Sequence, residues 1–528
     1  MRSNRLSAAA ILVAALAAPS LAAQNNPLAG FDGYVEQSLK LWRVPGIAIA
    51  VVRADSIVLL RGYGVRQVGR TEPVTPRTMF EIGSTTKAFS SAILAMLVDD
   101  GKLGWDDPVI RHLPWFALKD PWVTREVTLR DLLSHRVGVG GDFNALLTST
   151  RTEIIRRTRY LDPNIGFRTR YDYSNMMYAT AGEVAAAVAG KPWEVLLRER
   201  VLDPLGMRQT TTDISRFFDS TRFAHCFYCP FPKDPVSIDQ AIGRQDVAMP
   251  HMMVADTVRT IPWQSYDNGV SAGSVISNVT EMAEWLRFLL GQGTYRGRPL
   301  IRPETFRELH KPQSIITPAG WLGMVAELSP TTHFWAYGLG WRMNDYRGRK
   351  IVWHTGGIAG FLAYVGLVPE EKLGIVALSN GDLGYELLPQ SLALRLIDGV
   401  IGGAPRDWSA ELAGAMKAEA RRSEEARARE AAGRVPGTRP SLPLEKFAGR
   451  YANDVFGEIE VGLQGQRLIL HIPAGAEGVL RHWHYDVFRL ELDASSKGDF
   501  FTTFRIGPAG QVDGMVIEGM GEFRRVRS

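Results

Sequence analysis

Two apolar, strand-like segments near the start of the chain have to find partners, and the matching segments lie far along it. Residues 45–53, Pro-Gly-Ile-Ala-Ile-Ala-Val-Val-Arg, carry an almost unbroken apolar run bounded by turn residues, the mark of a buried strand. Ala54-Asp55 makes a turn, and residues 56–63 return as the second arm of a hairpin. Comparable runs come only after several helical stretches, at residues 351–354, 362–368 and 373–378, the last two joined by Pro369-Glu370-Glu371-Lys372. Strands at both ends with helices between them assemble most economically as one antiparallel sheet with helices on either face. The expected fold class is therefore mixed α/β (α+β).

The intervening helices carry start and stop signals. Thr128, with Asp131 in the first turn, opens a short helix over residues 127–135. A second helix covers residues 176–189 and ends at Gly190, and a third follows over 193–201. Asn278-Val279-Thr280-Glu281 has the spacing of a capping box and opens a helix to residue 290. Residues 387–400 form another. Residues 211–268 show no clear period, and so long an irregular stretch is expected to serve as a lid or binding loop.

At 528 residues the chain exceeds a usual single domain. The break falls where composition changes. Residues 410–432 are almost all Ala, Glu, Arg, Lys, Leu and Ser with alternating charge, a solvated helix or linker. Beyond residue 442 the pattern turns to period two, with short strands at 457–461, 467–472, 487–492, 500–506, 512–517 and 522–526. Evenly spaced short strands predict a small antiparallel β-barrel. The expected organisation is an export signal over 1–22, a first domain over 30–405, a charged helical linker over 406–440, and the barrel over 441–528.

The export signal rests on Arg2 and Arg5, the apolar residues 6–16, and the small-x-small site Ser20-Leu21-Ala22. It predicts a periplasmic or secreted protein. The apolar run is short and Ala-rich for a membrane span, and no Cys follows it to carry a lipid, so no stable membrane anchor is expected. A net charge of +5, spread through the chain without a basic stripe, disfavours nucleic acid as a partner. Cys226 and Cys229, the only cysteines, stand in His225-Cys226-Phe227-Tyr228-Cys229-Pro230. The pair reads as a small local disulfide in an exported loop. A redox motif is the alternative, without its usual strand-to-helix setting. Haem attachment needs the His after the second Cys, and zinc needs further ligands.

The chemistry centres on Gly83-Ser84-Thr85-Thr86-Lys87 at the start of a helix. Positions i and i+3 share a helix face, so Ser84 and Lys87 should meet. A serine hydroxyl needs a base to take its proton, and a helix N-terminus offers N–H groups to a developing oxyanion. Tyr173-Ser174-Asn175 places a phenol and a carboxamide two residues apart, on one side if extended. A phenol beside a lysine can relay a proton to a leaving group. His354-Thr355-Gly356-Gly357 lies at a strand end, where glycines let a substrate backbone approach. Gly269-Val270-Ser271-Ala272-Gly273 also matches a nucleophile-elbow pattern, but its next helix begins at Asn278 rather than directly after the Ser, which favours a small-residue turn.

In order, these motifs read S-x-x-K, Y-x-N and [KH]-[TS]-G. Asp131-Leu132-Leu133-Ser134-His135, Pro204-Leu205-Gly206-Met207, Tyr337-Gly338-Leu339-Gly340-Trp341 and Gly360-Phe361 flank them. The chain resembles the serine β-lactamase and penicillin-binding-protein superfamily over about residues 30–400, specifically its class C-like branch of D-aminopeptidases and esterases. The C-terminal segment resembles the lipocalin-like domain that follows such hydrolases. The resemblance implies that Ser84 becomes acylated, that Lys87 and Tyr173 share the acid and base work, and that Asn175 positions Lys87 and the substrate amide. It also implies an oxyanion hole from the N–H groups of Ser84 and Gly357, with His354, Thr355 and Gly356 on the substrate side. No metal or organic cofactor is implied. The substrates implied are small peptides or amides, with D-residues among them, and then esters. His354 stands where β-lactamases carry a Lys that would hold a permanent charge, so a β-lactamase or D-Ala-D-Ala carboxypeptidase is the alternative, and a non-catalytic penicillin sensor a third.

Overall fold

The computed structural model describes residues 28–141, 150–223, 236–254, 256–382, 387–402, 406–472, 477–492 and 499–526. The expected export signal and both cysteines lie outside the described residues.

The two groups of strands meet. An eight-stranded sheet runs in the order Ser56–Gly64, Gly46–Arg53, Leu373–Ser379, Phe361–Val368, Arg349–Ile358, Arg342–Tyr346, Trp335–Tyr337, Ser314–Ile315. Gly46–Arg53 pairs antiparallel with Leu373–Ser379, from Ile47 opposite Ser379 to Arg53 opposite Leu373. Its apolar run is continuous because both faces are covered. Alternate side chains point to opposite faces of a strand, and here they enter two separate cores. Ala48, Ala50 and Val52 join the larger core with side chains of the Thr86–Asp99, Asn175–Ala189 and Val279–Leu290 helices. Ile47, Ile49 and Val51 join a second core with the Phe31–Trp42 and Leu387–Ile401 helices. Each such buried Ile or Val contributes about 1.5–3 kcal/mol relative to exposure.

The C-terminal segment is a closed antiparallel barrel of eight strands rather than the six read from sequence. The two missed strands are Gly449–Asn453 and Glu477–His484. The first opens on a glycine at positive φ, and the second loses register between His482 and His484, so neither shows a clean period of two. Phe447, Phe488 and Phe504 pack together inside, with ring centroids 5.0–5.5 Å apart. Arg157 of the Arg151–Arg157 helix reaches the barrel and donates to the Val455 carbonyl at 2.9 Å.

Three local readings change. The Trp408–Ala432 helix is solvated along most of its length, but its start is docked. Trp408 Nε1 donates to Asp398 Oδ2 at 2.7 Å, and Ser409 accepts from Trp42 Nε1 at 2.9 Å. Asn278 caps its helix by accepting from the Glu281 N–H, but the return half of the capping box is absent. The Glu281 carboxylate instead accepts the N–H groups of Gln209 and Thr210, both at 2.8 Å. The described part of the aperiodic stretch is built into the larger core through Phe217, Phe218 and Trp263. No helix among the described residues is long and apolar enough to cross a membrane.

Candidate active site

Ser84 sits where the Phe80–Glu81 strand gives way to a tight helical turn, Gly83–Thr85, that runs on into the Thr86–Asp99 helix. Two glycines make the site possible. Gly83 has φ +50°, and a Cβ on it would fall 2.8 Å from the Gly357 nitrogen. A Cβ on Gly356 would drive into the Ile82 carbonyl and lie 3.0 Å from the Ser84 nitrogen. The Ser84 turn and the Arg349–Ile358 strand therefore approach backbone to backbone. That strand runs through His354-Thr355-Gly356-Gly357 rather than ending before it.

Four of the expected side chains converge. Lys87 Nζ lies 2.9 Å from Ser84 Oγ, 2.6 Å from Asn175 Oδ1 and 2.9 Å from the Ala272 carbonyl. Lys87 is fully buried, and its Nζ stands 4.8 Å from the Tyr173 ring and 5.3 Å from the Tyr178 ring. Tyr173 Oη donates to Ser84 Oγ at 2.8 Å. Ser174 is extended and Asn175 begins the next helix, which sends the phenol to Ser84 and the carboxamide to Lys87. The stretch is fixed from behind by His135, whose Nδ1 accepts the Ser174 N–H at 3.1 Å and whose ring lies 4.3 Å from that of Tyr173. Burial, with the Lys87 charge nearby, holds the His135 imidazole far below its usual pKa.

His354 does not line the cleft. It is 1 % exposed. Its Nδ1–H donates to the Thr355 carbonyl at 2.6 Å, so its Nε2 accepts from Tyr337 Oη at 2.9 Å. Burial first, then the Arg342 and Lys87 charges, pushes its pKa well down. The ring is a neutral support for the strand and cannot present charge to a substrate. Gly356 is likewise buried, leaving Thr355 and Gly357 as the strand's contribution to the cleft wall.

The cleft's cation is Arg342, a residue the sequence reading passed over. Its Nη1 donates to Thr355 Oγ1 at 2.9 Å, and its guanidinium lies 5.3 Å from the Trp321 ring and 5.6 Å from the Tyr173 ring. Arg342 directly follows the Tyr337-to-Trp341 motif and begins a short, polar sheet strand; that adjacency was the available signal. Ser84, Tyr173, Asn175, Trp321, Arg342 and Thr355 surround a cavity of about 420 Å³.

Ser271 is fully buried in the Val270–Gly273 turn. Its Oγ donates to the Tyr178 carbonyl at 3.0 Å, and its own carbonyl accepts from Ser90 Oγ at 2.5 Å. The Gly-x-Ser-x-Gly segment forms the floor beneath Lys87 and not a second nucleophile. Among the described residues no three His, Cys, Asp or Glu side chains gather to hold a metal ion.

Comparison with known proteins finds relatives across most of the chain. The family model described as Beta-lactamase matches residues 31–395, and one described as a domain of unknown function (DUF3471) matches residues 433–525. An unguisins hydrolase from Aspergillus campestris is 28% identical over 461 residues, covering 84% of this chain and 79% of its own length. The octameric penicillin-binding protein homologue from Pyrococcus abyssi superposes with a TM-score of 0.57 at 21% identity, covering 94% of this chain and 100% of its own. The D-amino acid amidase from Ochrobactrum anthropi SV3 has a TM-score of 0.54 at 22% identity, over 71% of this chain and 99% of its own.

Proposed function

The chain belongs to the β-lactamase family and is a serine hydrolase; from that premise we propose that it cleaves small peptides or amides through an acyl-enzyme on Ser84. The observation that carries this reading is the joint approach of Lys87 Nζ and Tyr173 Oη to Ser84 Oγ, at 2.9 and 2.8 Å.

Ser84 Oγ attacks the scissile carbonyl carbon as its proton passes to Lys87 Nζ, which enters the step as a free amine with its lone pair on Ser84 and leaves it as the ammonium, with Tyr173 Oη as the relay between them. The carbonyl oxygen becomes an oxyanion facing the N–H groups of Ser84 and Gly357, whose backbones the two glycines hold close. The C–N bond breaks, and the departing amine takes the proton back from the pair. Water then attacks the Ser84 ester, releases the acid and restores the hydroxyl. Asn175 holds Lys87 in place from the far side. Once protonated, Lys87 stands beside the Tyr173 ring and stabilises negative charge on the phenol oxygen as that oxygen hands its proton to the leaving amine.

The similarity to a protein named as an unguisins hydrolase runs through most of both chains and supports a hydrolytic reaction. A panel of D- and L-aminoacyl p-nitroanilides beside short-chain p-nitrophenyl esters tests the substrate class. Anilide turnover in one stereochemical series supports the reading, and turnover of esters alone overturns it.

Arg342 favours a second reading within the same chemistry. A guanidinium and a threonine hydroxyl at one end of the cleft form a seat for a carboxylate, as in carboxypeptidase or β-lactam substrates. Comparing a peptide with a free C-terminus against its C-terminal amide, with nitrocefin alongside, separates the two.

A further inference from the structure

A second cavity, of about 840 Å³, opens away from Ser84. It reaches Lys350, five residues before Thr355 on the Arg349–Ile358 strand and so roughly 17 Å from it at the usual strand rise. Its floor is apolar, with Leu290 partly exposed and Phe306 and Leu367 buried beneath it. Its rim is basic. Some of that charge is already neutralised: Arg287 pairs with Asp55 at 2.7 Å and with Glu284 at 3.0 Å, and Lys311 pairs with Glu308 at 2.6 Å. Lys350, Arg307 and Lys372 have no carboxylate within ion-pair distance among the described residues.

Lys350 is the informative one. Its side chain is half-buried, and Nζ donates to the His310 carbonyl at 2.6 Å. Glu370, the acid facing it, is engaged instead with the Lys350 backbone N–H at 3.2 Å. Burial pulls the ammonium below its ordinary pKa. Beside it the His310 imidazole is wedged edge-on between Phe306 and Trp341, and its buried Nε2 has no hydrogen-bond partner. Half-burying a cation whose Nζ is hydrogen-bonded to a carbonyl, with Glu370 turned to the backbone, costs free energy that an incoming anion offsets. The partly exposed Leu290 in the same cavity gains by being covered with hydrocarbon. The volume falls within the roughly 300–1,000 Å³ of small-molecule sites.

We propose that this cavity binds an anionic amphiphile, an alkyl carboxylate or alkyl phosphate. Its head meets Lys350, Arg307 and Lys372, and its tail lies over the partly exposed Leu290. The site is separate from the Ser84 cleft and independent of the hydrolytic reaction.

Isothermal titration of the full-length protein with decanoate, decyl phosphate, inorganic phosphate and decanol tests it. Both tailed anions should bind, and phosphate or decanol should each bind about tenfold more weakly or worse. The tighter of the two tailed anions identifies the head group. Lys350→Met should weaken decanoate by about tenfold while Ser84-dependent turnover is unchanged. Because Lys350 is half-buried, the exposed double variant Arg307→Glu/Lys372→Glu provides a second readout in the same direction. Absence of decanoate binding, undiminished binding in both variants, or phosphate binding as tightly as decyl phosphate overturns the proposal.

Discussion

Tyr173 Oη lies 2.8 Å from Ser84 Oγ across 89 residues of sequence, on the hydroxyl that Lys87 also reaches. The phenol oxygen is thus in place to move the proton that nucleophilic attack releases. Tyr173→Phe keeps the ring and its packing on His135 but removes that oxygen. It should lower kcat by about 10²–10⁴-fold, the usual worth of a positioned acid–base group. Circular dichroism should show an unchanged fold. Steady-state kinetics with a chromogenic anilide checks it.

Arg342 should act on binding more than on chemistry. Its guanidinium is anchored by Thr355 and held among the Trp321, Trp353 and Tyr173 rings. Arg342→Ala should raise KM by about tenfold or more for substrates with a free carboxylate, the usual weight of a charge-assisted hydrogen bond. It should affect C-terminally amidated analogues far less. Equal losses for both would mean that Arg342 supports Tyr173 rather than the substrate.

Ser271 provides the control inside the same pocket floor. Its hydroxyl makes one buried hydrogen bond, to the Tyr178 carbonyl. Ser271→Ala should cost about 1 kcal/mol of stability and leave turnover within about twofold of wild type, because its Oγ bonds the Tyr178 carbonyl and not Ser84 or Lys87. Urea unfolding and initial rates measure the two effects separately.

Acid should destabilise the fold through its buried imidazoles. His251 Nδ1 faces the Asn380 carbonyl at 2.7 Å, and its Nε2 accepts the Val68 N–H at 3.0 Å, a pairing that only the neutral ring satisfies. Burial lowers its pKa to about 4, against 6.5 when exposed. Between those values the unfolded chain binds a proton that the folded chain refuses, so stability rises with pH through this window. It is fully present above about 6.5 and lost toward pH 4 at up to about 1.4 kcal/mol per pH unit. His310, lowered to about 3, and His354 act in the same direction. Urea midpoints at pH 7 and pH 5 test this. His251→Gln should flatten the slope by about one proton.

What could be read from sequence followed from regular spacing. The apolar run at Ile47–Val52 and its partners at residues 373–378 announced the sheet because each side chain is buried on one face or the other. Ser84 and Lys87 were legible because three residues on a helix make neighbours, and Tyr173 and Asn175 because two residues in an extended segment do. What failed lacked such spacing. Arg342–Tyr346 is polar, and Trp335–Tyr337 and Ser314–Ile315 are two or three residues long, so the far half of the sheet carried no period. His354 was misjudged because its sequence position says nothing of the Tyr337 hydroxyl that turns the ring inward. Arg342 enters the cleft through contacts with Thr355, Trp321 and Trp353, which no local pattern encodes.

The most direct measurement is covalent labelling by a fluorophosphonate, with the modified peptide located by mass spectrometry. A single adduct on Ser84 in the wild type, absent in Ser84→Ala and retained in Ser271→Ala, is the predicted result. An adduct on Ser271, or turnover that survives Ser84→Ala, would contradict the account.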